Sequence, residues 1–392
     1  MITLHEALEI IKKVDFKMPF EEVALTNSYH RILGEDVFSD INMPPFDKSA
    51  MDGYACRSED LTQSMQVIGT LHAGSNETYT VEPGTCVKIM TGAPVPHGAD
   101  TVIKIEDTEE DGNNAIRFQA SATKNNICKL GEDIKAGELV LESGTRLLPH
   151  HIALLASVGI SKMKVSSQPK IAIFSTGSEL VEPNQKPGAS QIRNCNAYSL
   201  LGQLQNMNLH VDYKGIVPDD KSKIKELVTE LKKKYDVIII TGGASMGEHD
   251  FVPIVFKELN LELKFNKIAI QPGKPLSFAL DKNTFCFGLS GNPVSAFLQF
   301  EVLVKPFVFH LMHHNYSPKI ITAELAQRIQ RKKADRLKFF PVTLKANGKA
   351  EEIKFNGSAH IAGLTKAEGF GLFPENCELI QSGEKIEILL MQ

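Results

Sequence analysis

The order of apolar and polar positions divides the chain into successive stretches with different periodicities. Residues 1 to about 40 show amphipathic spacing, which predicts a helical segment that begins with a capping box from Thr3 to Glu6. Short β-type runs separated by Gly, Pro, Asn and Asp turns follow to about residue 134, and they predict a small β-rich module. A helical pattern returns at residues 150–158.

From residue 168 the pattern changes to alternating strands and helices. Apolar runs at 170–174, 211–217, 236–240 and 285–289 each lead through a polar turn into a helical segment. This alternation predicts a doubly wound, mostly parallel sheet. β-type runs return after about residue 312 and predict a small C-terminal β-barrel. The predicted fold class is therefore multidomain α/β plus β, with a helical and β connecting region.

Composition narrows the classes of function. The chain has 43 Lys and Arg against 47 Asp and Glu, a net charge of −4, which disfavours a nucleic-acid partner. We expect no membrane association, because no apolar run approaches membrane-spanning length and the N-terminus lacks the pattern of a signal peptide. Six scattered cysteines without a CxxC pair argue against structural zinc and favour a reducing, cytoplasmic location.

The strand-to-helix turns of the predicted sheet carry the candidate chemistry. All such turns of a parallel sheet lie at the carboxyl edge of the strands, so they should line one crevice. Glycine-rich turns and the first N–H groups of a helix bind oxyanions, and carboxylates beside phosphates suit Mg²⁺. The residues expected there are Glu179, Asp219, Asp220, Gly242, Gly243, Asp250, Gly291, Asn292 as a helix N-cap, and Pro293 as the first helical residue.

These residues also have ordinary structural explanations. Asp219 or Asp220 can be an N-cap, Asp250 can cap the helix that begins at Phe251, and Glu179 can be a solvated acid of a first helical turn. The pair Gly242-Gly243 can form a tight turn with no role in binding. Pro272-Gly-Lys-Pro275 lacks the spacing and hydroxyl of a P-loop, and no GxGxxG follows the first strand. An ordinary P-loop NTPase or dinucleotide dehydrogenase is therefore disfavoured.

Seven polar motifs occur in order along nearly the whole chain. They are Ser49-Ala-Met-Asp-Gly-Tyr-Ala55, Ile89-Met-Thr-Gly-Ala-Pro-Val-Pro96, Gly131-Glu-Asp-Ile134, Ser175-Thr-Gly-Ser-Glu-Leu180, Gly242-Gly-Ala-Ser-Met-Gly-Glu-His-Asp250, Pro272-Gly-Lys-Pro275 and Gly291-Asn-Pro-Val-Ser295. Taken together, they closely resemble the molybdopterin molybdenumtransferases of the MoeA type, of which the gephyrin E domain is the eukaryotic relative.

The resemblance implies a homodimer of four-domain subunits. The corresponding boundaries are 1–44 with 135–166 for connecting domain I, 45–134 for the β-rich domain II, 167–311 for the α/β domain III and 312–392 for the C-terminal domain IV. It also implies a site shared between domain III of one subunit and domain II of its partner. The reaction implied is insertion of molybdate into adenylylated molybdopterin with release of AMP and with Mg²⁺ as cofactor. Docking with a separate molybdopterin adenylyltransferase is a further candidate contact.

The resemblance also assigns roles residue by residue. The catalytic positions it implies are Asp52, Thr91, Asp133, Glu179, Asp219 and Asp250, and Asp219, Asp250 and Glu179 would also hold the metal. The substrate-binding positions it implies are Gly242, Gly243, Lys267, Lys274, Gly291, Asn292, Pro293 and Ser358. Three positions differ from the common family pattern: Ser290 stands where proline is common, Gln271 where lysine is common, and Ser178 where an acid is usual.

Two other functions stay open at this stage. One is adenylylation of molybdopterin, for which a lone α/β domain suffices, so the β-rich and C-terminal modules argue against it. The other is a non-catalytic scaffold of the gephyrin kind, against which the presence of Asp219 and Asp250 argues.

Overall fold

The computed structural model describes residues 1–243, 251–354, 357 and 359–391. The N-terminal helix starts with the predicted capping box: the Glu6 N–H donates to the Thr3 hydroxyl at 3.1 Å, and the Thr3 N–H donates to the Glu6 carboxylate at 2.7 Å. The elements of this first stretch are α1 (Leu4–Lys12), β1 (Phe20–Ala24) and β2 (Val37–Phe38).

The prediction of a helical segment over residues 1 to about 40 is wrong beyond the end of α1. β1 pairs antiparallel with residues 162–166, and β2 pairs antiparallel with residues 139–141. Both partner segments follow the whole β-rich module in the sequence. Long-range strand pairing therefore overrides the local amphipathic pattern here.

The predicted β-rich module is a six-stranded sheet in the order β7-β4-β6-β5-β9-β8, with a short β3–β10 ladder beside it. Its strands are β3 (Lys48–Ser49), β4 (Gly53–Cys56), β5 (Ser64–Leu71), β6 (Thr85–Ile89), β7 (Thr101–Lys104), β8 (Thr108–Glu110), β9 (Ala115–Phe118) and β10 (Ile127–Cys128). Leu71, Val87 and Val102 are buried in its core. The chain then returns to the connecting region through β11 (Leu139–Leu141), α2 (Pro149–Ser157) and β12 (Lys162–Ser166), which supply the partners of β2 and β1.

The α/β region follows the predicted alternation closely. Its elements are β13 (Ile171–Thr176), β14 (Leu180–Val181), β15 (Ile192–Arg193), α3 (Asn196–Asn206), β16 (Val211–Val217), α4 (Lys221–Leu231), β17 (Val237–Thr241), α5 (Phe251–Glu258), β18 (Glu262–Lys267), β19 (Ile270–Gln271), β20 (Pro275–Leu280), β21 (Phe285–Leu289), α6 (Pro293–Gln299), a π-helical turn (Phe300–Val304) and α7 (Lys305–Leu311).

The central sheet has the order β16-β13-β17-β21-β20-β18. The first four strands are parallel, and β20 runs antiparallel to both of its neighbours. Alternate residues of β13 face opposite sides: Ile171 and Ile173 pack with α3 and α6, whereas Ala172 and Phe174 pack with α4 and α5. Helices cover both faces, so the predicted doubly wound sheet is confirmed.

One helix within the described residues is, by its length and composition alone, long and apolar enough to cross a membrane. It is the continuous helix Pro293–Leu311, with 19 residues and a mean hydropathy of 1.4, which corrects the expectation that no apolar run approaches this length. However, 83% of its apolar 18-residue stretch is buried inside the protein. Leu298, Phe300 and Phe307 are part of the largest hydrophobic cluster, so this helix is built into the core.

The C-terminal region is the predicted small β module. Its elements are β22 (Ile320–Glu324), β23 (Ile329–Gln330), β24 (Leu337–Leu344), β25 (Ala350–Glu352), β26 (Gly369–Phe373), β27 (Leu379–Ile380) and β28 (Lys385–Leu390). The main sheet has the order β19-β24-β26-β28-β22, with β25 paired to β24, and β23 pairs with β27. β19 belongs to the α/β region, so this sheet joins the two regions directly.

Candidate functional site

A cavity of about 490 Å³ opens at the carboxyl edge of the central sheet. It is formed by the segments that follow β13, β16, β17 and β21, as the topology of a parallel sheet requires. Of the residues proposed from the sequence, the structure brings together Glu179, Asp219, Gly242, Gly243, Gly291, Asn292 and Pro293 in its lining. Acidic side chains and glycine-rich backbone therefore share one concave site.

The structure separates the roles of the two adjacent acids before α4. Asp220 is the N-cap, and its carboxylate accepts the Lys223 N–H at 2.9 Å. Asp219 faces the cavity instead, where one carboxylate oxygen accepts the hydroxyl of Thr176 at 2.6 Å. Among the described residues, the other Asp219 oxygen has no hydrogen-bond partner, so it is available to a ligand.

Gly242 and Gly243 let the chain turn against the end of β13. Gly242 has a φ of +96°, and a Cβ there would lie 2.0 Å from the carbonyl oxygen of Thr176. Gly243 has a φ of +59°, and its Cβ would lie 2.9 Å from the Thr176 methyl carbon. A side chain at either position therefore meets both strain and steric overlap. Gly291 lies beside them, since a Cβ at Gly291 would be 3.6 Å from the Gly242 Cα.

The helix start at the cavity agrees with the sequence analysis. Asn292 occupies the N-cap position and Pro293 opens α6, although the Asn292 side chain makes no capping hydrogen bond. The Ser290 hydroxyl accepts the Asn292 N–H at 3.2 Å instead. The next N–H groups lie in the first turn, where an α-helix offers no internal acceptor, and the dipole makes that end positive. This end of the cavity is suited to an anion.

Sequence reasoning missed the asparagines at the start of α3. Asn196 is buried, and its Nδ2 donates to the Thr241 hydroxyl and to the Gly291 carbonyl, both at 2.9 Å. Asn194 accepts the Ser175 hydroxyl at 3.1 Å. Both asparagines line the cavity. The only available signal was that the segment entering α3 must also end near the carboxyl edge of the sheet.

Behind the buried Asn194 lie two half-buried polar side chains. The Asn194 Nδ2 donates to the Tyr213 hydroxyl, and that hydroxyl donates to a Glu182 carboxylate oxygen, both at 2.8 Å. Burial, together with the bond to Glu182, raises the pKa of the Tyr213 phenol. Tyr213 therefore stays a neutral donor at neutral pH and orients Asn194 towards the cavity.

The two predicted lysines lie on neighbouring strand ends outside the cavity lining. Lys267 pairs with Pro275 in the β18–β20 ladder, and the Lys274 carbonyl accepts the Ile268 N–H at 3.0 Å. Both lysines are half-buried. Among the described residues, no carboxylate forms an ion pair with either ammonium group, so their charge is not neutralised locally.

The candidate residues of the β-rich domain form a separate group. The Asp52 carboxylate accepts the backbone N–H and the hydroxyl of Thr91, both at 2.7 Å, and both residues are exposed. These two hydrogen bonds lower the pKa of Asp52. Asp133 is exposed, and its backbone N–H donates to the Met43 carbonyl at 3.0 Å. The described lining of the crevice includes none of the three.

We predict that Thr91→Val raises the pKa of Asp52 towards its ordinary value, because the variant loses the hydroxyl donor and keeps the backbone N–H. A carboxylate with a lowered pKa stabilises the fold above its unfolded pKa, near pH 4, and this contribution is lost as the pH falls through the folded pKa. As the pH falls, the variant should therefore lose the stabilising contribution of Asp52 at a higher pH than the wild type does. The pKa of Asp52 is measured by following its carboxyl ¹³C chemical shift as a function of pH. Thr91→Ser is the control, since it keeps the hydroxyl donor and should leave the pKa of Asp52 at the wild-type value.

Two predicted residues, Asp250 and Ser358, lie outside the described residues. Close to Ser358 in sequence, Ala359 and Ile361 line the cavity. With Leu180 and Ile192 they give the lining an apolar side in addition to its polar groups. Sequence reasoning missed these apolar residues, because a single apolar residue in a loop carries no motif.

The residues present fit a Mg²⁺ ion in donor chemistry. Glu179 and Asp219 supply carboxylates, and Asp219 keeps one oxygen available. Within the described ranges, no group of three or more His, Cys, Asp or Glu side chains is arranged to hold a metal. Mg²⁺ usually binds one or two carboxylates together with substrate phosphate oxygens and water, so a complete protein cage is not required.

Comparison with known proteins identifies the family. The Haemophilus influenzae protein named molybdopterin molybdenumtransferase is 34% identical over 398 residues, covering 99% of this chain and 98% of that protein. The chain belongs to the molybdopterin molybdenumtransferase family. The Bacillus subtilis member is 34% identical over 409 residues, covering 100% of this chain and 94% of that member.

Family models and solved structures agree with this assignment to the molybdopterin molybdenumtransferases. The MoeA N-terminal region (domain I and II) matches residues 2–159, the model described as "Probable molybdopterin binding domain" matches 172–310, and the MoeA C-terminal region (domain IV) matches 322–391. The crystal structure of the molybdopterin biosynthesis moeA protein from Pyrococcus horikoshii OT3 superposes with a TM-score of 0.83 at 31% identity, covering 100% of both chains. The α/β, β-rich and C-terminal regions thus have counterparts in a solved family structure.

Proposed function

We propose that this protein inserts molybdate into adenylylated molybdopterin and releases AMP, with Mg²⁺ as its cofactor. The observation that carries the proposal is the convergence of two carboxylates, the turns containing Gly242, Gly243 and Gly291, and the helix start at Pro293 in one cavity. An adenylylated pterin presents a phosphoanhydride, which needs donors for its oxygens and charge compensation.

Different groups of the protein would bind different parts of the substrate. The backbone around Gly242 and the helix start at Pro293 would bind phosphate oxygens, and Lys267 and Lys274 would offset the remaining charge. The apolar side formed by Leu180, Ile192 and Ile361 would contact the flat heterocycle. Asp219, Glu179 and Asp250 would hold Mg²⁺, which polarises the phosphoanhydride when it is bound.

The remaining catalytic groups would come from a second subunit. Asp52 and Thr91 form an exposed, preorganised pair, and Asp133 is also exposed on the same chain. We propose that they complete the site of the partner in a homodimer, with domains I to IV at the boundaries given above. A symmetric dimer would then contain two such composite sites.

The direct test is an incubation of the purified protein with adenylylated molybdopterin, molybdate and MgCl₂, followed by quantification of AMP and of metallated pterin. We expect AMP release to depend on molybdate. AMP formed equally without molybdate would contradict the insertase, and formation of adenylylated molybdopterin and pyrophosphate from molybdopterin and ATP in a parallel incubation would favour the adenylyltransferase. A protein that binds the substrate and converts none of it would be a scaffold.

A mixing experiment tests the shared site. Asp52→Asn and Asp219→Asn should each be inactive, but subunit exchange between them should restore about a quarter of the wild-type activity, because half of the dimers would carry one intact site of two. Mixing Asp219→Asn with Glu179→Gln is the matched control, since every composite site then keeps one defect. Recovery in the control, or none in the test mixture, would contradict the shared site.

We also propose a cytoplasmic location and docking with a molybdopterin adenylyltransferase that delivers the substrate. All six cysteines are free thiols, and Cys56, Cys86 and Cys286 are buried, which suits a reducing compartment. Co-sedimentation of the two purified enzymes, with and without adenylylated molybdopterin, tests the docking.

A further inference from the structure

The side chain of Gln299 connects two loops that the sequence treats as separate motifs. Gln299 lies at the end of α6 and is fully buried. Its Oε1 accepts the Ser290 N–H at 2.9 Å, and its Nε2 donates to the carbonyls of Gly273 at 2.8 Å and Pro275 at 2.7 Å. One buried amide thus uses its acceptor and both of its donors on loop backbone.

The two loops connected in this way carry predicted substrate contacts. Ser290 precedes the Gly-Asn-Pro turn at the cavity, and Gly273 and Pro275 flank Lys274 on both sides. The packing is tight as well as polar, because a Cβ at Gly273 would lie 3.2 Å from both Cγ and Nε2 of Gln299. The distance between the Lys274 backbone and the helix start is therefore set through Gln299.

Ser290 contributes a group to this arrangement that a proline could not supply. Proline has no backbone N–H, and the Ser290 N–H is the described donor to Gln299 Oε1. The serine thus permits a hydrogen bond across the base of the turn. An unpaired amide oxygen in such a buried place would be costly, so the serine and the glutamine support each other.

We propose that Gln299 is a positioning residue, which holds the Lys274 ammonium at the correct distance from the anion-binding turn at Gly291–Pro293. The identity of the anionic ligand, the phosphate-bearing part of adenylylated molybdopterin, rests on the proposed function. Loss of the Nε2 donors removes the side-chain hydrogen bonds to the Gly273 and Pro275 carbonyls, of which Gly273 is buried, so the loop must rearrange and carry Lys274 with it. A small displacement of a substrate-binding group can cost much of its contribution.

A purely structural role predicts loss of stability without any special link to Lys274. The chain offers a matched control for this distinction in Gln203 of α3, another buried glutamine, which donates to the Phe297 carbonyl at 3.2 Å and to Glu301 at 2.8 Å. Gln203 does not touch the Lys274 loop within the described residues. Gln299→Met and Gln203→Met therefore remove the same chemical group from the same domain, but only the first should release Lys274.

The test is a double-mutant cycle in which Lys274→Ala is combined with Gln299→Met and, as a control, with Gln203→Met. For each variant we measure the KM for adenylylated molybdopterin and the kcat of AMP release. In the wild type and in Gln203→Met, Lys274→Ala should raise KM by about tenfold; in Gln299→Met the same change should raise it less than about twofold, because coupled residues are not additive. An equal tenfold effect in all three backgrounds would overturn the positioning role.

Two further measurements keep this proposal separate from the proposed function. If the wild type releases no AMP, the insertase proposal fails, and the same cycle is then measured as calorimetric binding of AMP, which needs no turnover. If Gln299→Met is unfolded in a thermal melt, Gln299→Glu takes its place, because it keeps the length and an acceptor for the Ser290 N–H and loses the NH2 donors. Gln203→Glu is then its matched control, because both variants place a carboxyl group in a buried position. Whether KM or the affinity for AMP is measured, additive effects of the substitutions at Gln299 and Lys274 would reject the inference.

Discussion

If the proposed function holds, Asp219→Asn is expected to lower the rate of AMP release by about 100-fold or more, because its carboxylate would hold Mg²⁺ and a metal ion supplies several kcal/mol of charge stabilisation. The fold should tolerate the change. The Thr176 hydroxyl donates a hydrogen bond to the Asp219 carboxylate in the wild type. The amide oxygen of the asparagine can accept the same hydrogen bond. The melting temperature should therefore stay within about 2–4 °C of the wild type.

The adjacent acid provides a control that differs by one position. Asp220 caps α4 through the Lys223 N–H, and asparagine is about as good an N-cap as aspartate. Asp220→Asn should therefore keep both activity and stability. Full activity of Asp219→Asn would reject the metal-binding role of Asp219, and equal losses in both variants would indicate a general charge effect.

This pair of acids marks how far the sequence could locate the site. Topology alone predicts that the turns after β13, β16, β17 and β21 meet at one edge, and the structure has them in one cavity. Topology does not say which of two adjacent acids faces the cavity. That choice depends on the exact start of α4, because the residue whose carboxylate reaches the Lys223 N–H is the cap.

The buried amide side chains that sequence reasoning missed share a physical reason. Asn196 and Gln299 act through buried hydrogen bonds to backbone of other segments, and such contacts depend on a register that no local pattern encodes. The same reason explains the wrong helical prediction before residue 40. Phe20–Ala24 is a strand because Lys162–Ser166 lies beside it, and the two segments are separated by the whole β-rich module.

Gly242→Ala is expected to destabilise the α/β domain by about 3 kcal/mol or more. Its φ of +96° is unfavourable for any residue with a Cβ, and that Cβ would lie 2.0 Å from the Thr176 carbonyl oxygen. Thr176 is the last residue of β13, and Gly242 directly follows β17. Neither backbone segment can move without disturbing the central sheet. A loss of this size corresponds to a fall of about 6–12 °C in the melting temperature of the domain, measured by calorimetry.

Gly291→Ala distinguishes a glycine that is needed to let an anionic ligand approach the backbone from a glycine that is needed only for the turn. Among the described residues, a Cβ at Gly291 meets only the Gly242 Cα, at 3.6 Å, which is an ordinary van der Waals contact. The variant should melt within about 2–4 °C of the wild type, while its methyl group obstructs ligand oxygens at the helix start and raises the KM about tenfold. If Gly291→Ala kept the wild-type KM, the ligand would not approach this turn. If Gly242→Ala melted like the wild type, the close approach to Thr176 could not be what requires a glycine there.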